Sequence, residues 1–178
     1  MKKYVLAALV AMGGTAMSAS STLFEFGTAR PAWYVVNDGV MGGVSSSAVK
    51  ISGGLLEFSG RVSLDNGGGF ASVRSSAAQV DLSAFSSLKL RIRGDGVRYG
   101  FQLGTSSARG VLYRADFDTV KNEWLELNFP LSAFKPTRFG RLLTGPALDV
   151  AKLEQVGFIV ANGRAEEFRL ELDWIRAF

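Results

Sequence analysis

Several segments of this chain alternate apolar and polar residues with a period of two, and that pattern constrains the fold more than any other feature. Leu88, Leu90 and Ile92 point one way while Lys89, Arg91 and Arg93 point the other. Phe168, Leu170, Leu172 and Trp174 oppose Arg169, Glu171 and Asp173. Tyr99, Phe101 and Leu103 form a third stripe, and Leu125, Leu127 and Phe129 a fourth. Side chains leave a strand on alternate faces, so each segment can cover a core on one side and meet water on the other. No window carries the three-and-four spacing of a long amphipathic helix; Ser83–Ser87 and Ser132–Phe134 suit single turns.

Extending this reading along the chain predicts strands at Trp33–Val36, Ala48–Ile51, Leu55–Gly60, Phe70–Ser75, Leu88–Arg93, Tyr99–Leu103, Leu112–Asp118, Trp124–Phe129, Val156–Val160 and Phe168–Ile175. The chain has 21 glycines and 4 prolines, a balance that suits tight turns between short strands. About ten such strands with one solvated face predict an all-β fold, an antiparallel β-sandwich of the jelly-roll kind. With 178 residues, no repeat and no linker, one domain is expected, and a hydrophobic fraction of 47% is enough to pack its core.

The chain has neither cysteine nor histidine. Disulfides, thiolate nucleophiles, Ser-His-Asp catalysis and ordinary zinc sites are thereby excluded. The expectation is a protein that binds and does not catalyse, with no cofactor. Residues 1–20 read as a signal peptide: Lys2-Lys3, then the apolar run Tyr4–Met12, then small residues around Ala16-Met17-Ser18. The run is too short for a membrane span of about 20 residues. The domain is therefore expected at residues 21–178 of an exported protein, periplasmic or secreted, with no stable membrane span after cleavage. The formal net charge of +4 falls to +2 without the leader lysines, and the charges are scattered, which argues against a nucleic-acid partner.

Three glycine-rich stretches stand apart from the strands. Asn37-Asp38-Gly39-Val40-Met41-Gly42-Gly43-Val44-Ser45-Ser46-Ser47 mixes turn formers with apolar residues, which predicts a loop tucked against the core. Its Asp38 is expected to bond local backbone N–H groups. Asn66-Gly67-Gly68-Gly69-Phe70-Ala71-Ser72-Val73-Arg74 permits close backbone approach, and Arg74 is expected to pair with Asp38 or Asp95. Arg93-Gly94-Asp95-Gly96 joins two alternating runs. No G-x-x-x-x-G-K-[ST] pattern accompanies these loops, so they do not read as a nucleotide cradle. Asp116-x-Asp118 offers hard oxygen ligands but no EF-hand-like series surrounds it, and no metal is expected.

Trp33, followed after three residues by Asn37–Ser45, resembles the opening signature of the CIA30 family, the complex I intermediate-associated protein 30 domain. Phe58-Ser59-Gly60 with Asn66–Arg74 is similar to the family's second signature, and Arg93–Gly96 with Tyr99 to its third. Trp124, Pro130 with Phe134, and Gly157-Phe158 follow in the family's order, and the resemblance spans roughly Phe24 to Phe178. It implies a galactose-binding-like sandwich related to carbohydrate-binding modules, without catalysis. By the family's namesake it also implies a part in assembling respiratory complex I. Two features depart from the family: Thr137-Arg138-Phe139-Gly140-Arg141 stands where a Phe-Arg-Gly-Arg-like run is usual, and the leader directs the chain away from the side where complex I is assembled.

The binding candidates are Trp33, Asn37, Asp38 and Met41 in the first motif, Arg74 in the second, and Arg93, Asp95 and Tyr99 in the third. Trp124 joins them, since it alternates to the face opposite Leu125, Leu127 and Phe129. Two ligand classes stay open. A protein partner would meet the glycine-rich loops and one polar sheet face, in an assembly or chaperone-like role. A glycan would stack on Trp124, Tyr34, Tyr113 or Trp33.

Overall fold

The computed structural model describes residues 20–27, 32–77, 79–138 and 140–178. The expected leader cleavage zone lies outside them. Thirteen strands are described: β1 (Ser21–Glu25), β2 (Trp33–Asn37), β3 (Ser46–Ser52), β4 (Leu55–Val62), β5 (Ala71–Ser75), β6 (Ser87–Arg93), β7 (Arg98–Thr105), β8 (Leu112–Asp118), β9 (Trp124–Pro130), β10 (Lys135–Arg138), β11 (Arg141–Leu142), β12 (Leu153–Val160) and β13 (Glu166–Ala177). All ten predicted strands are present, most of them one to four residues longer than predicted. Between them lie short 3₁₀ turns, including one at Leu131–Ala133 that overlaps the predicted Ser132–Phe134 turn.

The strands form two antiparallel sheets. The six-stranded sheet runs β3-β4-β13-β6-β9, with β1 also paired to β13, and the seven-stranded sheet runs β11-β10-β8-β7-β12-β5-β2. β13 holds the first sheet together. Its first half pairs with β4, and its second half lies between β1 and β6.

The alternating stripes close the sandwich. Leu88, Leu90 and Ile92 are fully buried, as are Tyr99, Phe101 and Leu103. Phe101 and Phe158 stack at 5.1 Å on neighbouring strands of the seven-stranded sheet, and Phe129 of the opposite sheet meets Phe101 edge-on at 5.3 Å. Burying a Phe contributes roughly 1.5–3 kcal/mol, so this cluster does much to hold the two layers together.

One stripe breaks its period. Leu172 pairs with Ile92 but Trp174 pairs with Arg91, so Asp173 is the extra residue of a β-bulge. The bulge turns Trp174 to the outer face, where Arg176 lies 4.3 Å from its ring centre, and Ile175 takes the core position. Trp174 therefore does not continue the buried face of Phe168, Leu170 and Leu172.

Candidate binding face

The first two glycine-rich motifs meet at one buried carboxylate. Asp38 has no solvent exposure. Its Oδ1 accepts the Ser45 N–H at 2.9 Å, and its Oδ2 accepts the Ser45 hydroxyl, the Gly69 N–H at 2.7 Å and the Phe70 N–H at 3.2 Å. Burial alone would raise this carboxyl. The Ser45 hydroxyl and the N–H groups of Gly69, Phe70 and Ser45 outweigh it and hold Asp38 below the ordinary carboxylate value. The loops can close this tightly only with glycine, because a Cβ on Gly43 would come within 2.4 Å of Asp38 Cγ and one on Gly68 within 2.7 Å of Asp38 Oδ2. Asn37 adds a clasp by accepting the Ser47 hydroxyl at 2.6 Å. Asp38 and Asn37 are thus fasteners of the sandwich end, and their side-chain acceptors are already engaged.

Two expectations for this motif are corrected. Val40, Met41 and Val44 are exposed by 76%, 60% and 54%, so the loop does not tuck its apolar residues against the core. Asp38 fixes the loop from its polar side, which leaves those three residues outward. Trp33 is buried and packs against Phe24 and Phe26 at 5.5 and 5.8 Å, so its ring belongs to the core.

The third motif is also architectural. Asp95 accepts the Val97 N–H, the Tyr99 hydroxyl at 3.0 Å and the Arg169 N–H. Tyr99 is fully buried; burial first, and then the Asp95 charge, push its phenol far up, so it stays a proton donor. Arg93 pairs with Glu171, and that hydrogen bond holds the Glu171 carboxyl low against its burial. The outer face of the six-stranded sheet continues this pattern. Arg91 pairs with Asp173, Arg169 with Glu57 and Glu171, and Arg176 with Glu25. Trp124 lies 4.6 and 5.0 Å from the Arg91 and Arg93 guanidiniums. Its ring is engaged by cations of its own sheet. Tyr113, another aromatic candidate, is buried and donates to the Ala147 carbonyl at 3.2 Å.

The outer face of the seven-stranded sheet is different. One register row crosses six strands: Tyr34 on β2, Arg74 on β5, Gly157 on β12, Gln102 on β7, Arg114 on β8 and Lys135 on β10. Glycine lets the arginines lie down on the sheet, since a Cβ on Gly157 would stand 3.2 Å from Arg74 Cγ and one on Gly100 would stand 2.4 Å from Arg114 Nε. Arg114 is spent on Asp116. Arg74 pairs with neither Asp38 nor Asp95, contrary to expectation: both carboxylates sit in loops that close on their own donors, whereas Arg74 points out of the sheet. Its Nε is buried without a partner, and burial pulls the guanidinium below its ordinary value while Tyr34 works the other way. Gln102 is 5% exposed and its Oε1 is likewise buried without a partner.

Beside this row opens a cleft of about 320 Å³ lined by Tyr34, Gly104, Arg109, Leu112, Glu154 and Gln155, among others. Tyr34 is 43% exposed, and its hydroxyl accepts the Gln155 side-chain N–H at 2.8 Å. Of the predicted binding residues Arg74 lies on this face, and of the aromatic candidates for a glycan Tyr34 does. Gln102, Arg114 and Gln155 were not anticipated. The one sequence signal for them is β7 itself, whose outward positions are Gly100, Gln102 and Gly104 where other alternating strands place charges. Asp116 and Asp118, which offer metal-type ligands in sequence, are each engaged by an arginine, Asp118 by Arg98 at 2.7 Å.

The two-sheet β-sandwich is a fold shared with solved carbohydrate-binding modules. The chain is similar to the family 11 carbohydrate-binding module of the cellulosomal cellulase Lic26A-Cel5E of Clostridium thermocellum, with a TM-score of 0.64 at 18% identity over 92% of this chain and 96% of that one. A family 11 module from Clostridium thermocellum solved in complex with a β-1,3-1,4-mixed-linked tetrasaccharide matches with a TM-score of 0.63 at 18% identity, covering 89% of this chain and 95% of the other. The agarase AgWH50C matches with a TM-score of 0.62 at 12% identity over 89% of this chain, but only 24% of the agarase. None of the curated proteins compared matches the chain. Residues 23–172 match the complex I intermediate-associated protein 30 (CIA30) family, and the chain belongs to that family.

Proposed function

We propose that this chain is a non-catalytic binding module that holds a glycan across the outer face of its seven-stranded sheet. The observation that carries the reading is Gln102, buried in the middle of a polar row with an acceptor that nothing in the described protein satisfies. A buried polar atom without a partner costs free energy that a ligand hydroxyl would recover. Tyr34 at the edge of the row supplies a partly exposed ring for a sugar, Arg74 supplies donors, and the Gln155 side-chain oxygen supplies an acceptor. The fold shared with carbohydrate-binding modules supports the same reading. Binding without hydrolysis fits the cleft, whose lining includes a single carboxylate, Glu154, whereas glycoside hydrolysis works with a pair.

Isothermal titration against mixed-linked β-glucan, agar and uronate oligosaccharides tests the proposal. At least one class should bind, and Gln102→Ala and Tyr34→Ala should each weaken it several-fold without unfolding the domain. Absence of binding across the panel would overturn the proposal.

A protein partner is the second reading, favoured by one observation. Val40, Met41 and Val44 are exposed beside the 46% exposed Leu64, on two loops tied together by Asp38. Apolar residues presented on a fixed loop suit protein contact. Met41→Glu with Val44→Glu should then abolish capture of a partner. In either reading the chain acts outside the cytoplasm after removal of its leader, and N-terminal sequencing of the exported protein checks this.

A further inference from the structure

The seven-stranded face also carries a charge imbalance that a neutral sugar would not use. On the opposite sheet, Arg91, Arg93, Arg169 and Arg176 each have a carboxylate partner. On this face Arg114 and Arg98 are matched by Asp116 and Asp118, and the adjoining cleft adds one further acid, Glu154. Arg74, next to Tyr34 near one end of the row, forms no ion pair and donates no hydrogen bond in the described protein. Residues 1–19, 28–31, 78 and 139 contain no Asp or Glu, so none of them pairs with Arg74. Further cations lie on the same sheet and at its cleft. Lys135 ends the same row and Arg109 lines the adjoining cleft. The Arg138 guanidinium lies beside Gly110, at 3.2 Å from where its Cβ would stand.

Resting on the glycan reading above, we infer that the ligand is an anionic glycan, whose carboxylate or sulfate oxygens pair with Arg74 while its hydroxyls satisfy Gln102 and Gln155. A guanidinium presents two parallel N–H groups that match a carboxylate or sulfate, which a neutral hydroxyl cannot reproduce. The surrounding cations raise the local concentration of such a polymer and make its binding sensitive to salt.

The test is affinity electrophoresis and titration calorimetry of the full mature chain against polygalacturonate, a sulfated galactan and a neutral mixed-linked β-glucan, at low and high salt. Acidic polymer should bind at least ~10-fold more tightly than neutral, a difference of about 1.4 kcal/mol. Arg74→Gln should remove that preference with the fold intact by circular dichroism, and Arg74→Lys should restore part of it. Lys50→Gln, on the opposite sheet, controls for unspecific attraction to a basic protein and should change nothing. Preference for polygalacturonate over the galactan would mark a uronate as the source of the anion, and the reverse a sulfate ester. Equal binding of neutral and acidic glycans, or a preference that survives Arg74→Gln, would overturn the inference and leave the glycan reading standing. Failure of every polymer to bind would remove both.

Discussion

Replacing Asp38 by Asn probes the fastening of the two glycine-rich loops with almost no change in volume. The carboxylate accepts three backbone N–H groups and one hydroxyl, divided between Oδ1 and Oδ2. An amide can accept with one end only. Its cheaper orientation turns the NH₂ toward the Ser45 N–H and leaves that one donor unmatched, at a cost of about 1–3 kcal/mol. The three remaining bonds lose their charge assistance, and charge-assisted bonds are roughly twice as strong as neutral ones, so another ~2 kcal/mol goes. The total is about 3–5 kcal/mol, which in a domain of this size lowers the melting temperature by about 10 °C.

The pH dependence supplies a second readout. Because the folded carboxyl lies below its unfolded value, its stabilisation is fully present above the unfolded value of about 3.9 and is lost as pH falls through the folded one. Wild type and Asp38→Asn should therefore differ most near neutral pH and converge on acidification. Calorimetry of both proteins from neutral pH downward measures this. A melting difference under about 2 °C near neutrality, or a gap that stays constant into acid, would refute the latch.

Other outcomes follow from the same geometry. Trp124→Ala removes contacts with Arg91 and Arg93 and should cost ~1–2 kcal/mol of stability in denaturant titration, with glycan affinity unchanged. Gly157→Ala places a Cβ 2.7 Å from the Val73 carbonyl oxygen and against Arg74, so it should destabilise by ~1–3 kcal/mol and weaken glycan binding together. Arg74→Ala breaks no ion pair and should hold stability within about 0.5 kcal/mol of wild type, as a melting scan will show.

The fold was legible because its signal is local. Where alternation is clean, as at Leu88–Arg93, strand and buried face both follow from the residues alone. The strands that escaped notice lack that signal. β10 is Lys-Pro-Thr-Arg with no large apolar residue, β11 has two residues, and β1 buries only Phe24. Trp174 was placed on the wrong face because a bulge is a property of the pairing with β6 and leaves no mark in the order of residues.

The site was harder to see because its residues come one apiece from strands scattered between positions 34 and 135, and only the register aligns them. The glycine-rich motifs drew attention to Asp38, Asp95 and Tyr99, whose polar groups are consumed in holding the loops. Charge told a similar story. A net charge of +4 looks scattered along the chain, yet the arginines Arg91, Arg93 and Arg169 of one sheet are paired while Arg74 on the other is not. Residues that a motif repeats need not be the ones that meet a ligand.

Locating the ligand on the fold tests the central claim most directly. In a backbone amide NMR titration of the mature chain with the tightest-binding oligosaccharide of the panel, the perturbed resonances should cluster at Tyr34, Arg74, Gln102, Arg114 and Gln155. Perturbations confined to the Val40–Val44 loop or to the surroundings of Trp124 would contradict the account.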